Sequence, residues 1–238
     1  MLGRFLELGI AAEDIGESYT FFQIIGFQNV PTGDIVGYPY AVLDGGDLCI
    51  GLHAQSDTER RLVFVRSDLE NYTRALRRQN IEFEYSRLAS DEFNEVGFRD
   101  PDGQMVALIE AQTFSPGARP EMRHSVCGLF LEYSMVSSSL SRGTQFWQAL
   151  GFKTLASGES PHPWQRLSGF GLTLGLHESA YFEPGPSFSA TDLDTRLEFL
   201  DAKGVDVKRR RRDTGALEAR AKLVSPDGLP VYLFDASE

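Results

Sequence analysis

The sequence is poor in the residues that build disulfide or thiolate-metal frameworks, with two cysteines and four histidines in 238 residues. Cys49 and Cys127 can form neither a disulfide framework nor a four-thiolate zinc site, so two reduced, buried thiols are expected in a cytoplasmic protein. No apolar run approaches the ~20 residues of a membrane span. Glu7 interrupts the N-terminal stretch MLGRFLELGIAAED, which does not read as a signal peptide. Basic residues are outnumbered, 23 Lys and Arg against 34 Asp and Glu, for a net charge of −11 and a pI near 4.9. That balance disfavours nucleic-acid backbones and anionic membrane surfaces, and favours neutral or cationic partners. Also missing are a phosphate-cradling glycine loop, a nucleophile elbow and a Cys–His pair.

What remains is ordinary globular material: 42% hydrophobic and 24% charged residues, with a mean hydropathy of −0.23. It is also repeated. Phe21-Phe22-Gln23-Ile24-Ile25-Gly26-Phe27 returns as Phe146-Trp147-Gln148-Ala149-Leu150-Gly151-Phe152, and Phe5-Leu6-Glu7-Leu8 as Phe130-Leu131-Glu132-Tyr133, both at an offset of 125. Pro39-Tyr40 and Ile50-Gly51-Leu52-His53 return as Pro163-Trp164 and Leu174-Gly175-Leu176-His177 at 124. Asp100-Pro101-Asp102-Gly103 returns as Ser225-Pro226-Asp227-Gly228, again at 125. Ordered matches over nearly the whole chain indicate two homologous domains, 1–113 and 124–238. The Pro/Gly-rich linker at 114–123 is short enough that the two must touch.

Each half divides again into two strand–helix–strand–strand–strand modules. In the first half, alternation predicts strands over 5–12, 36–43, 47–54, 61–66, 82–86, 93–99 and 104–110. Helices follow Asp14 (15–25) and Asp68, and in the second half span 138–150, behind serine caps, and 192–203, behind Asp192. The strand at 185–190 is the weakest, because Pro184 and Pro186 fall on it.

The helices that end in Phe-Phe-x-x-x-Gly-Phe and Phe-Trp-x-x-x-Gly-Phe, with the two Pro-Asp-Gly turns, resemble the vicinal oxygen chelate superfamily. That group holds glyoxalase I, extradiol dioxygenases, fosfomycin-resistance enzymes and bleomycin-binding proteins. The resemblance implies an α+β fold of four βαβββ modules, forming two tandem glyoxalase-like domains whose curved mixed sheets surround cavities. It also implies that a metal, where present, is held by first and last strands of the modules. In this chain those positions are Glu7, Arg61, Glu132 and about Gly185, then Gly51, Ala107, Gly175 and Tyr232. Neither half supplies a complete ligand set, so the expectation is no metal and no other cofactor, with a divalent metal as the alternative.

Strand alternation puts His53 and His177 on the face of Gly51 and Gly175, where each either joins a glutamate in holding a metal or is hydrogen-bonded or solvated at a strand end. Glu7 and Glu132 sit in apolar strands and need a wet cavity or a cation. They are read as ligand-recognising groups or general bases, against a structural salt bridge to Arg61 or another arginine. Tyr40 and Trp164 line the cavity or belong to the core, and Tyr38 and His162 lie at its mouth. The run Lys208 to Arg212 reads as a solvated strand or hairpin.

The expected ligand-binding set is thus Glu7, His53, Arg61, Glu132, His177, Tyr232, Tyr40 and Trp164, with Glu7 and Glu132 as the catalytic candidates. The leading expectation is a small-molecule-binding protein of the bleomycin-resistance type, taking a cationic or aromatic ligand. A glyoxalase-related lyase, isomerase or dioxygenase is the alternative. Neither nucleic acid nor membrane is expected as a partner, and the chain is expected as a monomer or weak homodimer.

Overall fold

The computed structural model describes residues 2–31, 38–55, 59–89, 94–110, 125–179, 183–209 and 219–236. The linker at 114–123, the domain boundaries beside it and Arg210 to Arg212 lie outside the described residues. The first module comprises β1 (Arg4–Ala11), α1 (Ile15–Ile24), β2 (Gln28–Val30), β3 (Tyr40–Asp44) and β4 (Cys49–His53). The second has β5 (Arg61–Arg66), α2 (Leu69–Arg78), β6 (Phe83–Arg87), β7 (Glu95–Arg99) and β8 (Met105–Glu110). The third has β9 (Leu129–Val136), α3 (Leu140–Ala149), β10 (Lys153–Gly158), β11 (Trp164–Gly169) and β12 (Leu172–His177). The fourth has β13 (Gly185–Ala190), α4 (Leu193–Ala202), β14 (Lys208–Arg209), β15 (Ala221–Val224) and β16 (Pro230–Asp235). No described helix is long and apolar enough to cross a membrane.

Each half forms one eight-stranded mixed sheet, ordered β2-β3-β4-β1-β5-β8-β7-β6 and β10-β11-β12-β9-β13-β16-β15-β14. The first strand of each module runs parallel to the last, and the two modules join through the antiparallel pairs β1–β5 and β9–β13.

The two-residue period of a strand gives each sheet one face packed on the helices and one free of them, where polar residues sit among small apolar clusters such as Val63, Val65, Ala107 and Ile109. Leu8, Ile10, Ile50, Leu52, Leu62, Phe64, Val106 and Leu108 point to the helices, as do Tyr133, Met135, Leu174, Leu176, Phe188 and Leu233. These residues form one core that both domains share, with ring contacts Phe64–Phe152, Phe98–Phe146 and Phe27–Phe188 across the seam. The other, helix-free face carries Glu7, Gly9, His53 and Arg61 in the first domain, and Glu132, Ser134, His177 and Ser187 in the second.

The seam is also clasped by polar groups. Asp102, in the β7–β8 turn, accepts hydrogen bonds from Ser138 N (2.9 Å), Ser138 Oγ (2.5 Å) and Ser137 Oγ (3.0 Å) at the start of α3. Its repeat mate Asp227 accepts from Ser18 of α1.

Three local expectations need correction, while the cap at Asp14 and the strand at 185–190 hold. Asp14 does cap α1, accepting from Gly16 N and Glu17 N at 2.9 and 3.0 Å. Asp68, however, sits in the left-handed region (φ 63°), and Glu110 Oε1 takes the Leu69 N–H in its place at 2.9 Å. Asp192 likewise gives α4 no side-chain cap, because its carboxylate pairs with Arg196 at 2.5 Å. The three-residue β2, too short to show alternation, is an extra strand. Finally, β13 forms across Pro186 because β9 and β16 hold it from both sides.

Candidate functional site

Both helix-free faces carry the same device, a glutamate on the domain's first strand bonded to a histidine that ends the first module's last strand. In the first domain His53 Nε2 lies 2.8 Å from Glu7 Oε1 and Tyr40 OH donates to Glu7 Oε2 at 2.5 Å. In the second, His177 Nε2 lies 2.6 Å from Glu132 Oε1, and Arg166 Nε donates to Glu132 Oε2 at 2.6 Å. All four of these Glu and His residues are buried, each at most 8% exposed. The carboxylates fit because Gly51 and Gly175 lie beneath them, where a Cβ would come within 2.3 and 2.0 Å of a carboxylate oxygen.

The carboxylate fixes each imidazole. An ionised glutamate only accepts, so each histidine donates to it from Nε2. The other ring nitrogen is engaged as well: Tyr38 OH lies 3.0 Å from His53 Nδ1, and His162 Nε2 lies 3.0 Å from His177 Nδ1. Tyr38 and His162 are repeat mates, so both halves hold a three-member relay of glutamate, histidine and a further polar ring.

Burial alone would raise the Glu132 carboxyl. The hydrogen bond and charge of His177, with those of Arg166, outweigh it and hold the group below its ordinary value. Burial raises the Tyr38 phenol; Arg61 opposes the rise, and Glu7 and Glu95 add to it, so Tyr38 remains a donor at neutral pH.

Arg61 does not pair with Glu7. On β5 it stands opposite Gly9, and its Nη1 donates to Glu95 Oε1 at 2.6 Å and to Tyr85 OH at 3.4 Å. The residue opposite Glu7 is Val63, and opposite Glu132 it is Ser187 rather than Gly185. Tyr232 is opposite Ser187, but its hydroxyl is engaged with the backbone of Glu183, accepting from N at 2.9 Å and donating to O at 3.1 Å. Trp164 turns its indole N–H to Ser160 O at 3.3 Å and does not bond Glu132. The structure thus brings Glu7, Tyr40 and His53 together, and Glu132 with His177; Trp164 stands beside the second relay with the Arg166 guanidinium 5.5 Å over its ring, and the polar groups of Arg61 and Tyr232 bond elsewhere. Sequence reasoning missed Arg166, whose signal was the need of a buried Glu132 for a cation. Arg166 lies two residues beyond Trp164, on the same strand face.

A divalent metal, as the fold implies, needs converging lone pairs. Here both ring nitrogens of His53 and of His177 are engaged, and each glutamate oxygen already accepts from a protein donor. The third position, on β16, offers a phenol bonded to backbone. Among the described residues no group of three or more His, Cys, Asp or Glu is arranged to hold a metal ion. These residues do not fit the metal. Separately, a cleft of about 350 Å³ opens at the domain seam between Phe5 and Phe130, and none of the relay residues lines it.

No protein-family model matches the chain, and no curated protein matches it in sequence. Solved structures do match in fold. A catechol 2,3-dioxygenase superposes with a TM-score of 0.60 at 17% identity, over 100% of this chain and 89% of that one. A variant of homoprotocatechuate 2,3-dioxygenase from Brevibacterium fuscum gives 0.66 at 13% identity, over 100% of this chain and 72% of that one. A halotolerant catechol dioxygenase gives 0.60 at 12% identity, over 99% and 87%. Together with the module order and the paired mixed sheets, these likenesses show that the chain has the vicinal oxygen chelate fold, in the two-domain, four-module form of the extradiol dioxygenases.

Proposed function

We propose that this protein binds a small molecule on the helix-free face of a sheet, in the manner of the bleomycin-resistance group, without a metal. The observation that carries the reading is the spent donor set. Both nitrogens of His53 and of His177 are engaged, and the paired glutamates are bonded to Tyr40 and to Arg166. Such a face recognises a ligand through oriented polar groups and aromatic area rather than through coordination. Tyr38, Tyr40 and Tyr85 supply that area around the first relay, and the net charge of −11 favours a ligand that is not an anion.

The fold also supports a dioxygenase, lyase or isomerase reading, since the neighbours named above include catechol dioxygenases. That reading has two forms: one uses Glu7 or Glu132 as a general base, and the other requires His53 or His177 to release a partner and turn a ring nitrogen to a metal. A native mass spectrum of protein from cells supplied with zinc, nickel, manganese and iron separates the metal form from metal-free binding, and retained turnover in Glu7→Gln and Glu132→Gln variants would count against the general-base form. The binding reading expects the bare chain, or the chain with an organic adduct. One metal ion per chain overturns it.

A further inference from the structure

The two relays end on different groups, and those groups differ in how they take a proton. In the first domain the end is a phenol. A hydroxyl both donates and accepts, so Tyr38 OH gives its hydrogen to a bare His53 Nδ1 or receives one from a protonated ring, and the 3.0 Å contact fits either state. Burial raises the phenol, so Tyr38 keeps its own proton throughout.

In the second domain the end is another imidazole, with His162 Nε2 3.0 Å from His177 Nδ1 and the ring centres 5.2 Å apart. Two nitrogens at that distance need one hydrogen and one lone pair between them. With both rings neutral, His177 donates to Glu132 and accepts from His162. A first added proton leaves the bond in place, because one ring then carries both hydrogens while the other still offers a lone pair. A second added proton puts hydrogen on both facing nitrogens and positive charge on both rings. The contact is then lost.

His177 is the ring that stays. It is buried, and Glu132 Oε1 holds its Nε2 at 2.6 Å, with Arg166 Nε on Glu132 Oε2 at 2.6 Å. The charged groups facing the pair come from β9 (Glu132) and β11 (Arg166); the Glu178 carboxylate, next to His177 in sequence, turns away to accept from Leu140 N at 2.9 Å. His162 is half-buried, on the segment between β10 and β11. Beyond it, Glu178 N donates to Pro163 O at 3.0 Å and anchors the start of β11, so a release is confined to the residues just before Pro163.

We infer that His162 and His177 form a proton-operated catch: they hold the segment before β11 against the end of β12 while the pair carries no more than one extra proton, and free it when both rings are charged. The first domain, with Tyr38 in the same place, has no such release. The device borders the helix-free face of the second sheet and requires no ligand, so it stands apart from the binding reading.

The chain has four histidines, which lets the rings be followed one by one. In full-length protein with nitrogen-15 in its histidine and tryptophan rings and its glycine amides, scalar coupling across the N–H···N bond joins His162 Nε2 to His177 Nδ1. That coupling is expected at about pH 7.5 and should be lost by about pH 5, across the range in which imidazoles gain charge. The Trp164 indole, which donates to Ser160 O at 3.3 Å, and the amide of Gly158, opposite Trp164, should shift together with the loss. His162→Tyr, which copies Tyr38, should keep both signals steady over the same range. His162→Gln, whose amide also donates and accepts, should do the same and serves where the larger ring does not fit.

Coupling that persists at about pH 5, or that is absent at every pH, overturns the inference. So does a Trp164 indole that fails to follow the loss, or a variant whose Trp164 and Gly158 signals titrate as the wild type's do. A chelator in every sample keeps metal off the rings, so the outcome is independent of the mass spectrum.

Discussion

Gly175 lies directly beneath the carboxylate of Glu132, so close that a Cβ on it would fall 2.0 Å from Oε1. The glycine is required by that approach, not by its backbone angles. The carboxylate has little room to retreat, because His177, Arg166 and Ser134 hold it from other directions. Gly175→Ala is therefore expected to cost about 2–3 kcal/mol, as overpacking of a buried site does. Urea unfolding measures this, and a loss under about 0.5 kcal/mol, the range of a surface change, would mean the carboxylate lies elsewhere.

The two relays differ in what completes the glutamate, and their variants should differ accordingly. Arg166→Ala leaves the buried Glu132 without the guanidinium on its Oε2, and such a loss costs about 3 kcal/mol. Tyr40→Phe removes only a neutral donor from Glu7 and should cost about 1–2 kcal/mol. Chemical denaturation of both variants checks the order, and an equal or reversed order would show that Arg166 is not what neutralises Glu132.

The pH dependence follows from the lowered Glu132 carboxyl. A group held below its unfolded value binds fewer protons when folded, so its stabilisation is present above the ordinary glutamate value of about 4.3 and is lost as pH falls through the folded one. Wild-type stability should drop on acidification below that point. Glu132→Gln, less stable at neutral pH, should show a shallower acid slope. Thermal midpoints for both proteins, taken from neutral pH down to acid, provide the measurement; parallel curves would sink the assignment.

Much of the fold was legible because its signals are local or repeated. The offset of 125 that relates Phe21 to Phe146 also relates Glu7 to Glu132, and the strands around them alternate as the sheet requires. Asp14 was readable as a cap because it serves the helix that follows it directly. Asp68 was not, since its place is taken by Glu110, which accepts the Leu69 N–H at 2.9 Å from 41 residues further along the chain. The site was legible in part for the same reason. Glutamate and histidine stood out as polar residues in apolar strands, but their pairing depends on β1 lying parallel to β4, which no local pattern records. The choice of His53 over Arg61 as the partner of Glu7 is a matter of that register.

The same distinction separates the two sides of the domain seam and gives a last prediction. Asp102 closes the first domain's Pro-Asp-Gly turn, yet its oxygens serve the second domain, accepting from the Ser138 amide at 2.9 Å and from the Ser137 and Ser138 hydroxyls, with Arg142 Nη2 at 3.4 Å. Burial opposes its ionisation, but these donors prevail and hold the carboxyl below its ordinary value. It thus pins, from another domain, the segment that leads into α3, and Asp102→Ala, which leaves those donors without their acceptor, should cost about 1–2 kcal/mol. Because the donors are seated on the far side of the seam, the loss should appear as faster hydrogen exchange at the start of α3, rather than in the β7–β8 turn. Exchange that rises only in the turn would show that the aspartate organises its own loop and leaves the domains held by their shared apolar core alone.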